Sequence, residues 1–255
     1  MRGEELGLAY ATLDSSGYYK EIESENSKKM ARSIRDLKTF LHADSTVLDI
    51  GTGNGLFVEL LHQEGFTDIS AHEIPGGDLS KITRIANKIY EDFDYTSIAS
   101  NSFDAVTLLD VVEHVPDPSY LLSMCNRILK SGGMIYFHTP VVTRIDRLMH
   151  VLQKLPVISK IGIMWQRART SIFHLQNYTP QSLQLLLQNA GFGEIQIEVR
   201  NELSWPMALY VRIYLLQKNG LPGWLAPLFV PILRPLLATD TFNANKAIVR
   251  AIKQS

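Results

Sequence analysis

The stretch Val47-Leu48-Asp49-Ile50-Gly51-Thr52-Gly53-Asn54-Gly55 places three glycines at alternate positions directly after a β-rich run. Glycine accepts positive φ and carries no Cβ, so such a loop lets the backbone approach a ligand closely. A nucleotide-sized ligand fits that chemistry. About twenty residues further on, Glu73 closes the next apolar run, where an acid accepts hydrogen bonds from both hydroxyls of a ribose. The acidic group Glu91-Asp92-Phe93-Asp94 follows a third, weaker run, and a fourth leads into Leu109-Asp110-Val111-Val112-Glu113-His114-Val115-Pro116-Asp117-Pro118. Asp110, Glu113 and His114 have i, i+3, i+4 spacing and would face one way in a helical turn, as a hard-cation site requires. A neutral imidazole is the natural proton acceptor near pH 7. The candidates, in order, are His114, His138 and His174.

The elements that must position these residues alternate along the chain. Tyr19 to Leu41, with Met30, Ile34, Leu37, Phe40 and Leu41 at helical spacing, reads as an amphipathic helix. Strands are expected at Thr46–Ile50, Asp68–Glu73, Ile89–Tyr95, Phe103–Leu109, Met134–His138 after the Gly132-Gly133 turn, Glu194–Arg200 and Lys246–Ile252. Between them, helices are expected at Leu56–His62, Leu79–Ile89, Ser119–Leu129 and Ile145–Leu155. A further one at Pro180–Ala190 has Thr179 as N-cap and Gly191 as its stop. This alternation predicts an α/β fold: a doubly wound, mostly parallel seven-stranded Rossmann-like sheet with helices on both faces, plus helical lid inserts.

In a dinucleotide fingerprint the third glycine falls three residues after the second; here that position is Leu56, which disfavours an NAD-dependent oxidoreductase. The run Asp49-x-Gly51-x-Gly53-x-Gly55 instead resembles motif I of the class I S-adenosylmethionine-dependent methyltransferases. Glu-His-Val-Pro-Asp-Pro at 113–118, Leu129-Lys130-Ser131-Gly132-Gly133 and the segment from Thr179-Pro180 to Gly191-Phe192 are similar to the branch that includes the ubiquinone-biosynthesis O-methyltransferases. The likeness covers residues 46–200. It implies S-adenosylmethionine as cofactor, held by Asp49, Gly51, Thr52, Gly53, Gly55, Glu73, Asp94 and Asp110, with Asp94 rather than Asp92 at the adenine amino group. His114 and then His138 are the implied catalytic bases. Tyr18 and Tyr19 either close over the methionine end of the cofactor or are ordinary helix-start aromatics. Ubiquinone-pathway members carry an acid, an acid and a histidine at positions 110, 113 and 114 and are associated with a divalent metal. Aspartate at 110 shortens the reach, so Glu113 and His114 are read as bracing the helix start or lining the pocket, and no metal is assigned. Residues 1–255 then read as a single domain: an N-terminal helical cap (1–41), a cofactor-binding half (42–140), a basic apolar insert (141–178), a helix and strand of the core (179–202), an apolar proline-rich insert (203–242) and a final strand (243–255).

With 255 residues, 45% hydrophobic and 20% charged, the chain can bury a sizeable core. A net charge of −1 argues against a nucleic-acid coat, and the fourth strand lacks the Asn-Pro-Pro-aromatic motif of DNA and RNA methylation. A lone cysteine, Cys125, excludes a disulfide framework and a cysteine zinc site and fits a reducing compartment. The start, Met1 to Glu5, has no signal-peptide core, and no run of 18 apolar residues occurs; a cytoplasmic location is expected. The charge is uneven. Residues 141–170 hold Arg144, Arg147, Lys154, Lys160, Arg167 and Arg169 against Asp146, a net of +5. Residues 203–255 hold Arg212, Lys218, Arg234, Lys246, Arg250 and Lys253 against Asp240, again +5, which leaves −11 for the rest. The second segment packs four of the eleven prolines into 221–237, so no regular helix is expected to run through it unbroken. Both segments follow strands at the carboxyl edge, where the ligand crevice of such sheets lies. They point to O-methylation of an apolar or anionic small-molecule acceptor, lipid-linked or a secondary metabolite, and leave open a peripheral membrane contact through 203–242. The alternatives are a cofactor pocket used for another reaction and a non-catalytic binding protein. Oligomeric state is left open.

Overall fold

A computed structural model describes residues 27–76, 79–156, 159–169, 174–202 and 207–254. The expected Tyr18 and Tyr19 contacts lie outside the described residues. Seven strands, β1 (Thr46–Ile50), β2 (Asp68–Glu73), β3 (Lys88–Glu91), β4 (Phe103–Leu109), β5 (Leu129–Pro140), β6 (Phe192–Arg200) and β7 (Lys246–Lys253), form one sheet in the order β3-β2-β1-β4-β5-β7-β6. Pairing is parallel from β3 to β5, and β7 runs antiparallel between β5 and β6. The fold is the expected α/β sheet. Because β7 is reversed, its first residue, Lys246, lies opposite Pro140 at the carboxyl edge of the parallel strands.

The helices are α1 (27–37), α2 (Leu56–Gln63), α3 (Pro118–Ile128), α4 (Arg144–Leu152), α5 (Ser159–Arg169), α6 (Pro180–Asn189), α7 (Met207–Tyr210, running on as a wider π-type turn over Val211–Leu216), α8 (Ala226–Leu237) and α9 (Asp240–Asn243). Successive strand residues point to opposite faces, and each face has its own helices. Val47, Ile69 and Ala105 pack with Ile34 and Leu37 of α1 and Phe57, Val58 and Leu61 of α2. Leu48, Ile50, Val106, Leu108 and Phe137 pack with Leu121, Leu122 and Cys125 of α3 and Leu183 and Leu187 of α6. Asp117 and Thr179 cap α3 and α6 through their side chains, each followed directly by proline, as their types favour.

Two expectations fail. Residues 79–86 form no helix: isolated turns close at Ile82, Ile85 and Ala86, and the Asn87 N–H bonds the Ile69 carbonyl at 2.7 Å, drawing the chain into β3. The β-branched cluster Ile82, Thr83 and Ile85 disfavours a helix there. Conversely, α8 runs through Pro231 and Pro235, with Pro227 in its first turn. The three prolines are four residues apart and all exposed, so the gaps in the hydrogen-bond ladder share one solvent-facing stripe.

The two inserts form one layer. Ile145, Trp165 and Ala168 share a core with Tyr210, Val211, Leu215, Leu216, Ala226 and Leu237. Where α5 crosses α4, a Cβ on Gly162 would lie 2.5 Å from the Met149 carbonyl oxygen, so only glycine fits. Asp146 is the polar hub: it accepts from Trp165 Nε1 at 2.7 Å, from the Thr143 cap, and from Arg169 at 3.1 and 3.2 Å. The charge bookkeeping also changes. Lys246, Arg250 and Lys253 belong to β7, so the positive excess of the second insert is smaller than that of the first. Asp146→Ala, which removes the carboxylate from Arg169 and Trp165, is expected to loosen this layer by about 2–3 kcal/mol while the sheet holds. Hydrogen exchange should quicken across 144–169 and 207–237; unchanged protection there contradicts the assignment.

Candidate active site

Two carboxylates shape the loop after β1. Asp49 is buried and accepts from Thr52 Oγ1 at 2.7 Å and from Thr107 Oγ1, on β4, at 2.6 Å. Burial pushes its carboxyl up to about 6, with the two hydroxyls acting against that rise. Glu73 accepts from the Gly53 N–H at 2.7 Å and from the Ile74 N–H at 2.9 Å, so β2 pins the loop from the side. Gly51, Gly53 and Gly55 all have positive φ. A Cβ on Gly55 would lie 2.3 Å from Ile82, and one on Gly51 would lie 2.5 Å from Val111, whereas one on Gly53 would meet nothing within 4 Å. The loop is packed from behind and open in front, a cradle of the kind a nucleoside occupies. At the next strand end, Asp92 is engaged by His72, the Tyr95 N–H and Ser97. Burial raises its carboxyl, but those donors outweigh it and hold the group below its usual range. Asp94 is exposed, accepts from the Thr96 N–H and hydroxyl, and through its own carbonyl is held by the Tyr120 hydroxyl of α3.

The turn after β4 departs from expectation. Asp110 has φ +59°, and 111–114 form a tight turn closed by His114 N–H on the Val111 carbonyl, with α3 starting only at Pro118. The acid, acid and histidine therefore do not share one helical face. Asp110 pairs with the buried Lys246 of β7. Burial raises the Asp110 carboxyl, but its side chain is 52% exposed and the ammonium prevails, holding it below its usual range. Glu113 is buried, accepts from Thr139 Oγ1 at 3.0 Å, and is pushed up to about 8 by burial and then by Asp110. Its carbonyl receives the Leu175 and Gln176 N–H groups, which bring the returning segment alongside. His174 thus stacks edge-on against His114, ring centroids 4.8 Å apart, and burial with the neighbouring His114 lowers it to about 4. His114 is 21% exposed, with Nε2 3.8 Å from Glu113. Among the described residues, Glu113, His114 and His174 form a group whose donor atoms lie within 4.8 Å of one another. His138 sits elsewhere: its Nε2 is 3.1 Å from Ser33 Oγ and 3.3 Å from the Tyr136 hydroxyl, beneath α1, and burial lowers it to about 4. These contacts tie α1 to the sheet.

Residues 22–197 match the family described as a methyltransferase domain. The chain belongs to that family, within the class I S-adenosylmethionine-dependent methyltransferases. Ubiquinone biosynthesis O-methyltransferases of Pseudomonas entomophila and Thiobacillus denitrificans are 32% and 34% identical over 145 residues, 52% of this chain and 59% of each relative. The chain thus spans little more than half the length of these curated relatives. A structure of a SAM-dependent methyltransferase from Archaeoglobus fulgidus covers 94% of this chain and 100% of its own at 18% identity and a TM-score of 0.59. Phosphoethanolamine N-methyltransferase 2 of Haemonchus contortus, in complex with S-adenosyl-L-methionine, covers 86% and 51% at 17% identity and a TM-score of 0.54. These two likenesses concern the fold.

In this methyltransferase domain, S-adenosylmethionine is the cofactor of the class, and the open front of Gly53 beside Glu73 fits it. Thr107, Thr139 and Lys246 escaped the sequence reading. Thr107 had a faint signal, a hydroxyl within the apolar run Ala105-Val106-Thr107-Leu108-Leu109. Gly55→Ala, strained at φ +80° and pressed into Ile82, should cost about 2–4 kcal/mol, and Gly53→Ala only about 1 kcal/mol while weakening cofactor binding. Denaturant unfolding and calorimetric titration measure both, and equal destabilisation of the two variants contradicts an open front.

Proposed function

We propose that this chain transfers a methyl group from S-adenosylmethionine to a hydroxyl of a small apolar acceptor, lipid-linked or a secondary metabolite. The observation that carries the reading is His114, on the turn whose Val111 packs behind the glycine loop, half-buried against His174 of the returning segment. When bound, the cofactor supplies a methyl group on a positively charged sulfur, which an acceptor oxygen takes by in-line displacement. Orientation is the chief demand: it supplies effective molarities of about 10⁵–10⁸ M, whereas a base adds about 10²–10⁴-fold. Gly53 and Glu73 would bind the nucleoside, with Asp94 at the adenine end. Asp49 and Thr52 would act from beneath, by holding the loop. His114 Nε2 would receive the acceptor's proton. His174, kept neutral by burial, would orient the His114 ring.

The insert layer supports an apolar acceptor. Trp224, Leu228 and Ile232 follow at four-residue spacing and are 75%, 64% and 69% exposed. Beside them an open groove of about 740 Å³ is lined by Ala208, Arg212, Trp224 and Val230. Arg144, Arg147, Lys154, Lys160 and Arg167 are exposed on the first insert together with Leu148, Val151 and Leu155. Among the described residues no helix is long and apolar enough to cross a membrane; this surface suits contact with an anionic bilayer from one side.

His114→Ala should lower turnover about 10²–10³-fold with cofactor affinity retained; a fall in affinity as large as the fall in turnover contradicts a base. Labelled cofactor incubated with cell extract should leave label in the organic-soluble fraction, and label confined to macromolecules contradicts the acceptor class. The protein should also sediment with anionic but not neutral vesicles, and Trp224→Ser with Leu228→Ser should release it; sedimentation unaffected by that pair removes α8 from the contact.

A further inference from the structure

The branch that this chain resembles associates a divalent metal with an acid, an acid and a histidine at positions 110, 113 and 114. As folded here, Asp110, Glu113 and His114 do not fit such an ion. A metal there would need Asp110 and Glu113 to turn the same way with their charge uncompensated. Instead Asp110 takes a left-handed conformation and points to Lys246, whose side chain is almost fully buried. The ammonium reaches this point because β7 is antiparallel, which delivers its first residue to the carboxyl edge, 136 residues away from its partner in sequence. Lys246 is also within electrostatic reach of Glu113 and of Glu202, itself buried. A cation is therefore already built into the acid cluster, from the one strand that runs the wrong way for the rest of the sheet.

We propose that the Lys246 ammonium is the resident cation of the Asp110–Glu113 cluster and takes the position that a divalent metal would hold. A dipositive ion a few ångströms from a fixed ammonium is repelled by several kcal/mol even at an effective dielectric of about 20. The acids then have a positive partner belonging to the chain itself, which neither dissociates nor depends on metal supply. Lys246 is thus a positioning residue: it holds Asp110, and through Asp110 the turn that carries His114. This inference rests on that turn being the acceptor side of the methyltransferase site, but its test does not require methyl transfer.

The test is titration of the whole chain with Mn²⁺, read by the electron paramagnetic resonance signal of the free ion, for the wild type, Lys246→Met and Lys246→Met/Asp110→Asn. The wild type should bind no stoichiometric Mn²⁺. Lys246→Met should bind it at least about tenfold more tightly than the wild type, and the added Asp110→Asn should abolish that gain. If Lys246→Met does not give a cooperative melting transition, Lys246→Gln takes its place. Stoichiometric binding by the wild type that disappears in His174→Ala overturns the proposal, as does a folded Lys246 variant that gains no Mn²⁺ affinity. A wild type that gives no methyl transfer but otherwise shows this binding pattern would count against the proposed reaction and leave the cation assignment standing.

Discussion

The glycine loop holds its shape because two carboxylates fix it from different directions. Asp49 lies beneath it, satisfied by hydroxyls from the loop itself and from β4, and Glu73 reaches across from β2 to a backbone N–H at its crest. A buried carboxylate without donors would be costly, so Thr52 and Thr107 are what allow Asp49 to sit there. The hydroxyl of Thr107 also links β1 to β4, so the same network sets where the turn after β4 begins. Val111 of that turn then fills the space behind Gly51. The glycine loop and the turn after β4 are thus one packed unit, and a change in either is felt in the other.

The second organising constraint is topological. Six strands run the same way and bring their carboxyl ends to one edge, and the reversed β7 brings its amino end to the same edge. That edge collects Asp110, Glu113, His114, His138 and Lys246 from three strand ends and the turn between β4 and α3. It is also where both inserts leave the sheet. Their shared core, with Asp146 as a polar hub, makes them one cover instead of two independent loops. Exposed apolar residues on its outer side, unusual in number for a surface facing only water, are consistent with a cover that meets something less polar.

Much of this was legible in the chain. Alternating apolar runs and capping residues located most strands and helices, and the strands of the sheet fall where they were expected. The glycines and Glu73 were found from spacing alone. The readings that failed did so where a tertiary contact overruled local pattern. Residues 79–86 have helical spacing, yet they stay in isolated turns and Asn87, bonded to Ile69 of β2, leads the chain into β3. The prolines of α8 look like helix breakers one by one and are tolerated because they fall on one exposed stripe. The i, i+3, i+4 set at 110–114 implied a shared face, and the left-handed Asp110 destroys that premise.

Local chemistry, then, determined the sheet, the cofactor loop and the family, because periodicity, capping and positive-φ glycines act over a few residues and are written directly in the sequence. Which charges meet was decided only by tertiary structure. Lys246 and Asp110, Thr107 and Asp49, and His174 and His114 are each joined across tens of residues or more, by strand order and by the backbone hydrogen bonds from Glu113. Nothing in the local sequence of Lys246 distinguishes it from a solvated lysine; its burial follows from the direction of a single strand.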